Sequence, residues 1–189
     1  EKQMYAPAME RVNQVKRYLA QAEAGHPLFV WVHFFEPHEP YDPPKEFVRE
    51  DSARGRYEGE VAQTDQAIGA LVRTFRAARP TATVIVTADH GEEFGDHGGH
   101  YHGTTLYDEQ ARVPLLWNSP GKVNPGLVKT PVELVDVGTT LLSALGMPRD
   151  ARMRGDDWGA LLRAPDAKVS GVAFASVEDR HMAMDGRFK

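Results

Sequence analysis

The feature that most constrains the fold of this chain is a short run of branched apolar residues that ends in an Asp-His pair. The run is Thr83-Val-Ile-Val-Thr87, and Asp89-His90-Gly91 follows it after one alanine. Branched side chains favour a buried strand, and the glycine marks the turn that ends it. In open α/β sheets, ligands bind beyond the carboxyl ends of the strands. The pattern therefore predicts an α/β fold with a metal site here, and an ordinary solvated strand-to-loop turn is the alternative.

Size and composition favour one domain or a large part of one. The chain has 189 residues and is 41% hydrophobic, which is enough for a sizeable core. Its net charge of −5 provides no basic field, so nucleic acid is not an expected partner. The absence of cysteine excludes disulfides, thiolate metal sites and a cysteine nucleophile from these residues. No apolar run approaches the length of roughly 20 residues that a membrane span requires, and we find no signal peptide. The cellular compartment is left open.

Hydrophobic periodicity predicts alternating helices and strands. Helices are predicted over 6–24, 55–79 and 131–145, the last with a capping box at Thr130-Pro-Val-Glu133. Strands are predicted over 28–35, 82–88, 114–117, 171–177 and 181–185, with a proline-rich loop at 37–44 and a loop at 163–170. This alternation predicts a mostly parallel sheet with helices on both faces. Asp185-Gly186 is typical of a two-residue hairpin turn, and only three residues follow it. Together with the start at Glu1 rather than Met, this suggests a segment of a longer protein.

Three sequence blocks occur in an order and at a spacing shared with a known family. They are Trp31–Tyr41, Tyr57–Gly69, and a third block that runs from Thr87–Gly91 through His102–Asp108 to Arg112-Val-Pro114. Together they resemble the C-terminal part of the catalytic domain in the sulfatase family, within the alkaline-phosphatase-like superfamily. The resemblance covers most of the chain from about residue 28. It implies an α/β fold, an alkaline-phosphatase-like three-layer αβα sandwich with a mostly parallel sheet, incomplete because the N-terminal half is missing. Residues 1–189 would then belong to a single catalytic domain, with closing strands in a hairpin at 168–189.

The resemblance also implies an activity, the metal-dependent hydrolysis of sulfate esters. Asp89 and His90 match two metal ligands of the family, whose usual ion is Ca²⁺. The family often has asparagine where this chain has His90, and an oxygen with an imidazole nitrogen also suits Mn²⁺ or Zn²⁺, so the metal is left open. His38 matches a histidine that contacts the sulfate, and His102 stands where many relatives have a lysine that contacts the sulfate and its bridging oxygen. A donor there stabilises the negative charge on the departing oxygen. The implied substrate is a small-molecule or glycan sulfate ester.

The family's nucleophile is not found in these residues. It is a formylglycine made from Cys or Ser in a Cys-x-Pro-Ser-Arg type of motif. Ser52-Ala-Arg-Gly-Arg56 has the outer serine and arginine, but Arg54 stands where Pro or Ala is required, and we reject it. We therefore expect formylglycine in the N-terminal half, and we expect the segment alone to be inactive. Two alternatives stay open: a phosphoryl-ester hydrolase or phosphotransferase of the same superfamily, and a non-catalytic metal-binding module.

Several further polar residues have weaker assignments. His33 alternates with apolar neighbours on a predicted strand, which favours a hydrogen-bonded core position. Asp65 falls on an apolar helical stripe, which indicates a structural anchor. Arg112 is interpreted either as the partner of an acid near the site or as part of a surface salt bridge. His97 and His100 either cap the pocket or are simply solvated.

Overall fold

The computed structural model describes residues 6–23, 25–187 and 189, and the chain divides into two compact units, 1–82 and 83–189. Within the described residues, no helix has the length and apolar composition needed to span a membrane.

Two α-helices dominate the described part of the first unit. Helix α1 spans Ala8–Gln21 and helix α2 spans Ala53–Ala78. Ser52 caps α2, because its hydroxyl accepts a 3.0 Å hydrogen bond from the amide of Gly55. The core consists of Ala8, Val12, Ala67 and Leu71, with Val15, Val32, Phe34, Ala70 and Phe75 packed against it. The helices predicted over 6–24 and 55–79 are confirmed, although residue 24 lies outside the described residues.

The buried face of α2 differs from the predicted stripe. Asp65, predicted to lie on an apolar stripe of this helix, is exposed, and the apolar Val61 one turn before it is 43% exposed. The buried positions instead include Glu60, Thr64 and Ala67. The helix turns this face to the proline-rich loop, whose backbone amides require an acceptor such as the Glu60 carboxylate. The prediction of Asp65 as a buried anchor is therefore wrong.

Residues 28–35 form an extended segment rather than a strand with partners. Their burial alternates: Val32 and Phe34 pack on the core, while Phe29 and Trp31 are 72% and 78% exposed. Within the described ranges 6–23, 25–187 and 189, this segment forms no ladder. The predicted strand is not formed among the described residues, because an apolar run fixes an extended backbone but supplies no pairing strand. His33, on the outward face, is exposed, so its predicted core position is also wrong.

The described residues of the second unit form six strands in three two-stranded ladders. They are β1 (Val84–Thr87) with β4 (Leu115–Asn118), β2 (Glu93–Phe94) with β3 (His100–Tyr101), and β5 (Ala173–Val177) with β6 (Arg180–Met184). The helices are α3 (Asp108–Ala111), α4 (Leu134–Ala144) and α5 (Gly159–Arg163). The strands predicted over 82–88, 114–117, 171–177 and 181–185 are confirmed with small shifts of their ends.

The ladders are antiparallel, in contrast to the predicted parallel pairing. In the β1–β4 pair, Val84 lies opposite Asn118 and Thr87 opposite Leu115. A parallel pair needs a long crossover, usually a helix, between its strands. The connection from β1 to β4 instead contains a hairpin and the short helix α3, so β4 returns in the opposite direction. Every ladder formed among the described residues is of this kind.

Two local predictions in the second unit are also corrected. The capping box of α4 pairs Glu133 with Asp136, and the Asp136 carboxylate accepts a 2.8 Å hydrogen bond from the Glu133 amide. Thr130 donates its hydroxyl to the Val169 carbonyl instead, at 3.3 Å. The hairpin turn between β5 and β6 is Glu178-Asp179, where Glu178 has a φ of 51°. Asp185-Gly186 follows β6 and is not the hairpin turn, because the pairing of Val177 with Arg180 places the turn seven residues earlier in the chain.

Candidate active site

Asp89 and His90 lie directly after β1 and close to each other. The Nε2 atom of His90 is 3.8 Å from Oδ2 of Asp89, and the His90 amide donates to Asp89 Oδ1 at 3.1 Å. The Nδ1 atom of His90 is 3.0 Å from the Gly91 carbonyl oxygen. Because a carbonyl only accepts, Nδ1 carries the proton, and Nε2 keeps a lone pair for another partner. Both side chains are exposed, by 76% for Asp89 and 41% for His90.

Gly91 brings the end of β1 against α3. The Gly91 amide donates to the Gln110 carbonyl at 2.8 Å, and a Cβ at this position would lie 2.0 Å from the Glu109 carbonyl oxygen. No side chain fits at that distance. Glycine is required because the two backbones approach each other, and this contact fixes the turn that carries Asp89 and His90.

The donor atoms of Asp89 and His90 fit one divalent cation. Metal bonds to carboxylate oxygen and imidazole nitrogen are about 2.0–2.5 Å long, so two atoms 3.8 Å apart can share an ion. A carboxylate with a neutral imidazole suits Mn²⁺ or Zn²⁺, and Ca²⁺ requires additional oxygen ligands. The pair would provide part of a coordination shell.

His102 lies beside His90, as the sequence predicted for residues of one site. Their rings stack with centroids 3.9 Å apart and planes 21° from parallel. The Nδ1 atom of His102 is 3.0 Å from Glu92 Oε1, and the Glu92 side chain is only 3% exposed. His90 and His102 thus lie together with Asp89 at the end of β1. Glu92 was not among the candidates.

A second buried glutamate, Glu93, organises the glycine-rich segment that follows. Its Oε1 atom accepts from the amides of His97 and Gly99, and its Oε2 atom accepts from Thr105 and Gln110. Burial alone would raise the pKa of the Glu93 carboxyl, but these four hydrogen bonds outweigh it and hold the pKa below its ordinary value. Sequence reasoning missed Glu93, although its position one residue after Glu92 on a short strand is a usable signal.

The remaining candidates of this unit lie near its surface. His97 stacks on Tyr107, with ring centroids 3.7 Å apart, and its Nδ1 atom is 3.4 Å from Glu109 Oε2. His100 is exposed on β3. Arg112 is 77% exposed and is 3.9 Å from Asp108, one helical turn before it. Of its two interpretations, the surface salt bridge is confirmed.

His38 lies in the first unit, in the proline-rich loop. Its ring stacks on Phe35 at a centroid distance of 4.6 Å, and its Nδ1 atom is 2.8 Å from the Glu39 carbonyl oxygen. The loop is anchored by Glu60 of α2, whose carboxylate accepts from the amides of His38, at 3.2 Å, and Asp42, at 2.8 Å. Glu60 is a third residue that sequence reasoning missed, after Glu92 and Glu93. The contact of His38 with a sulfate stays a prediction.

Comparison with known proteins identifies the family. The fold is of the α/β class, and the sulfatase family matches residues 5–147, which is more than half of the chain. The chain therefore belongs to the sulfatase family. Its fold is the alkaline-phosphatase-like fold of sulfatases, and it corresponds to the C-terminal portion of that fold.

Three similar proteins illustrate this relationship. An uncharacterized sulfatase of Escherichia coli, YidJ, is 26% identical over 92% of this chain and 42% of its own length. A Bacteroides thetaiotaomicron 4S-sulf protein, from a locus for the metabolism of multiple glycosaminoglycans, superposes with a TM-score of 0.71 at 18% identity, over 92% of this chain and 44% of that one. A phosphonate monoester hydrolase from Silicibacter pomeroyi superposes with a TM-score of 0.58 at 28% identity, over 66% of this chain and 25% of that one. The chain thus spans less than half the length of each of these proteins.

Proposed function

We propose that this chain is part of the single catalytic domain of a hydrolase that cleaves sulfate esters with the help of a divalent metal. Asp89 and His90 hold the ion, and His38 and His102 contact the sulfate and the departing oxygen. Further polypeptide, the N-terminal half of the domain, supplies the nucleophile, a formylglycine, and the remaining metal ligands. The substrate is a small-molecule or glycan sulfate ester.

The observation that carries this proposal is the cluster at the end of β1. An oxygen and a nitrogen donor lie 3.8 Å apart, and the His102 ring stacks directly on one of them. A bound divalent ion would orient the sulfate oxygens and stabilise negative charge on them. His102 is adjacent to that position and can donate a proton or hydrogen bond to the oxygen that leaves. Ca²⁺ is the ion we propose from family membership, and Mn²⁺ and Zn²⁺ are the alternatives that His90 favours.

His38 is held in a way that suits contact with an anion. Glu60 fixes the backbone on both sides of its loop, and Phe35 supports one face of the ring. With Nδ1 directed at the Glu39 carbonyl, Nε2 is the nitrogen that we propose for contact with the sulfate, to which it donates when the imidazole is protonated. A preorganised donor of this kind needs little rearrangement when an anion binds.

Phosphoryl-ester hydrolysis is the second candidate. The observation that favours it is the likeness to the phosphonate monoester hydrolase, which shares more sequence identity with this chain than the other structure described above. Sulfate and phosphate are both tetrahedral oxyanions, so residues that hold one can hold the other. The chemistry of the site does not exclude this activity.

A direct test compares the two ester classes on the full-length protein. The protein is produced with a formylglycine-generating partner, and kcat/KM is measured for an aryl sulfate and the matching aryl phosphate. We expect the sulfate to be preferred, chelation to abolish turnover and added divalent metal to restore it. We expect Asp89→Asn to lower kcat/KM by roughly 100-fold or more, and His102→Ala to lower kcat by about 10²–10⁴-fold.

The control is Asp65→Asn, the same chemical change at an exposed helical position. It should leave kcat/KM unchanged. A clear preference for the phosphate ester in the intact protein would replace the first candidate by the second. Full activity of Asp89→Asn would exclude the metal assignment.

A further inference from the structure

Glu92 is a buried carboxylate whose position suggests a role of its own. It precedes β2, its side chain is 3% exposed, and its Oε1 atom is 3.0 Å from Nδ1 of His102. The two residues are ten positions apart and are brought together by the β2–β3 hairpin. Burying a carboxylate is costly unless it is well hydrogen-bonded, so this contact is structurally significant.

The contact between Glu92 and His102 determines which ring nitrogen of His102 faces away from the buried carboxylate. An ionised carboxylate has only acceptor atoms, so Nδ1 of His102 must carry a proton. Nε2 lies on the far side of the ring and therefore points away from the buried carboxylate. A second constraint is independent of the first, because stacking on His90 fixes the plane of the ring at 21° to its neighbour. Hydrogen bond and stacking together define both the tilt and the rotation of the imidazole.

We propose that Glu92 is a positioning residue that fixes the orientation of His102 and keeps a proton on Nδ1, so that Nε2 faces the leaving oxygen of the substrate. When the imidazole is protonated on both nitrogens, Nε2–H donates to that oxygen and the ring is left as the neutral Nδ1–H form. The effect on catalysis rests on the proposed function, whereas the effect on the ring is independent of it. An imidazole needs such support more than a flexible ammonium group would, since only one of its two nitrogens can face the substrate at a time.

The effect on the ring is tested by nuclear magnetic resonance of the full-length protein with ¹⁵N-labelled histidine. Spectra are recorded well above the ordinary histidine pKa of about 6.5, where imidazoles are neutral, and His102→Gln assigns the signal. We expect His102 to be the Nδ1–H tautomer in the wild type. In Glu92→Gln and Glu92→Met the Nε2–H form should become populated, because neither side chain requires a proton on Nδ1.

The effect on catalysis is tested with the same variants. We expect Glu92→Gln to lower kcat by about 10–100-fold, the range found when the hydrogen-bond partner of a functional histidine is removed, with KM nearly unchanged. The loss should be greater for aryl sulfates with poorer leaving groups. In a His102→Ala background the same substitution should cost nothing further, because the two residues act as one unit.

Glu109→Gln is the matched control. Glu109 also faces a histidine, His97 at 3.4 Å, but lies outside the proposed catalytic set. It should change neither the His102 signal nor kcat.

The proposal is overturned if His102 is the Nε2–H tautomer in the wild type, or if both Glu92 variants leave its signal unchanged. It is also overturned if Glu92→Gln is as harmful without His102 as with it. If the protein hydrolyses neither sulfate nor phosphate esters, the proposed function fails, and the tautomer measurement alone still decides the role of Glu92.

Discussion

At the scale of single residues, Tyr101 has a backbone conformation that tyrosine rarely adopts. Its φ is 68°, in the left-handed region, and its side chain is 56% exposed. This conformation costs a residue with a Cβ roughly 1–2 kcal/mol. The strained residue directly precedes His102 in the chain. Strain of this kind is frequent near functional sites, where the rest of the structure maintains it.

Replacing this tyrosine with glycine should therefore not lower the stability of the protein. Glycine relieves the strain, although its greater freedom in the unfolded chain costs about 0.5–1 kcal/mol. We expect Tyr101→Gly to have a Tm equal to or above that of the wild type. Tyr107→Gly should lower the Tm, because Tyr107 has an ordinary φ of −65° and supports the His97 ring. Thermal unfolding of both variants checks this, and equal losses would contradict the strain argument.

The residues of the candidate site were predictable to different degrees. Asp89, His90 and His102 are visible in the sequence because their motif follows a strong strand signal, and the structure places them side by side. Glu92 and Glu60 were missed because their partners are 10 and 22 residues away. Glutamate is almost never fully buried unless it is paired, so only the fold shows that these two are buried acceptors.

At the scale of elements, the Glu93 hydrogen bonds make the β2–β3 hairpin sensitive to acid. The folded-state pKa of Glu93 is below its ordinary value of 4.5. The carboxylate therefore stabilises the fold above pH 4.5, and this stabilisation is lost as the pH falls through the lower, folded-state pKa. In Glu93→Gln, an NH₂ group replaces one of the two carboxylate oxygens. This group would face either the side-chain amide of Gln110 or the backbone amides of His97 and Gly99, all of which are donors, so at least one buried donor would lose its acceptor.

We expect Glu93→Gln to lower the Tm at neutral pH. The difference from the wild type should narrow as the pH is reduced below 4.5, because the wild type then loses its carboxylate. Thermal unfolding across the acid range measures this. For Glu46→Gln, the same change at an exposed position, the difference in Tm from the wild type should be small and the same at all pH values. If the Tm of Glu93→Gln stayed a constant amount below that of the wild type at every pH, the stabilising role of the Glu93 carboxylate would be contradicted.

Helices were easier to predict than strand pairing. The positions of α1, α2 and β1 along the chain depend on patterns among neighbouring residues, and the structure confirms these positions. The direction of β4 depends on how the segment between it and β1 folds, which no local pattern records. The same limit applies to α4, where two acidic side chains, Glu133 and Asp136, formed the cap in place of the threonine.

At the scale of the whole molecule, the extended segment 28–35 has one face without a covering layer. Phe29 and Trp31 are 72% and 78% exposed, whereas Val32 and Phe34 pack on the core. The sequence predicted a strand covered on both faces, and such a run is unusual at a surface in contact with water. The chain spans only 42% of the length of its Escherichia coli relative. Our proposal that further polypeptide completes the domain therefore predicts that this polypeptide pairs with residues 28–35 and covers Trp31.

Amide hydrogen exchange measured by mass spectrometry distinguishes a paired strand from an extended segment. Peptides covering 28–35 should exchange slowly in the full-length protein, because ladder hydrogen bonds protect their amides, and quickly in the isolated 189-residue chain. Peptides covering 164–170, a loop without apolar alternation, should exchange quickly in both. Trp31→Ser should speed exchange at 28–35 in the full-length protein while leaving the isolated chain unaffected, since the side chain is already exposed there. Rapid exchange of 28–35 in the full-length protein would mean that no strand pairs with this segment, and the proposed completion of the sheet would then be wrong.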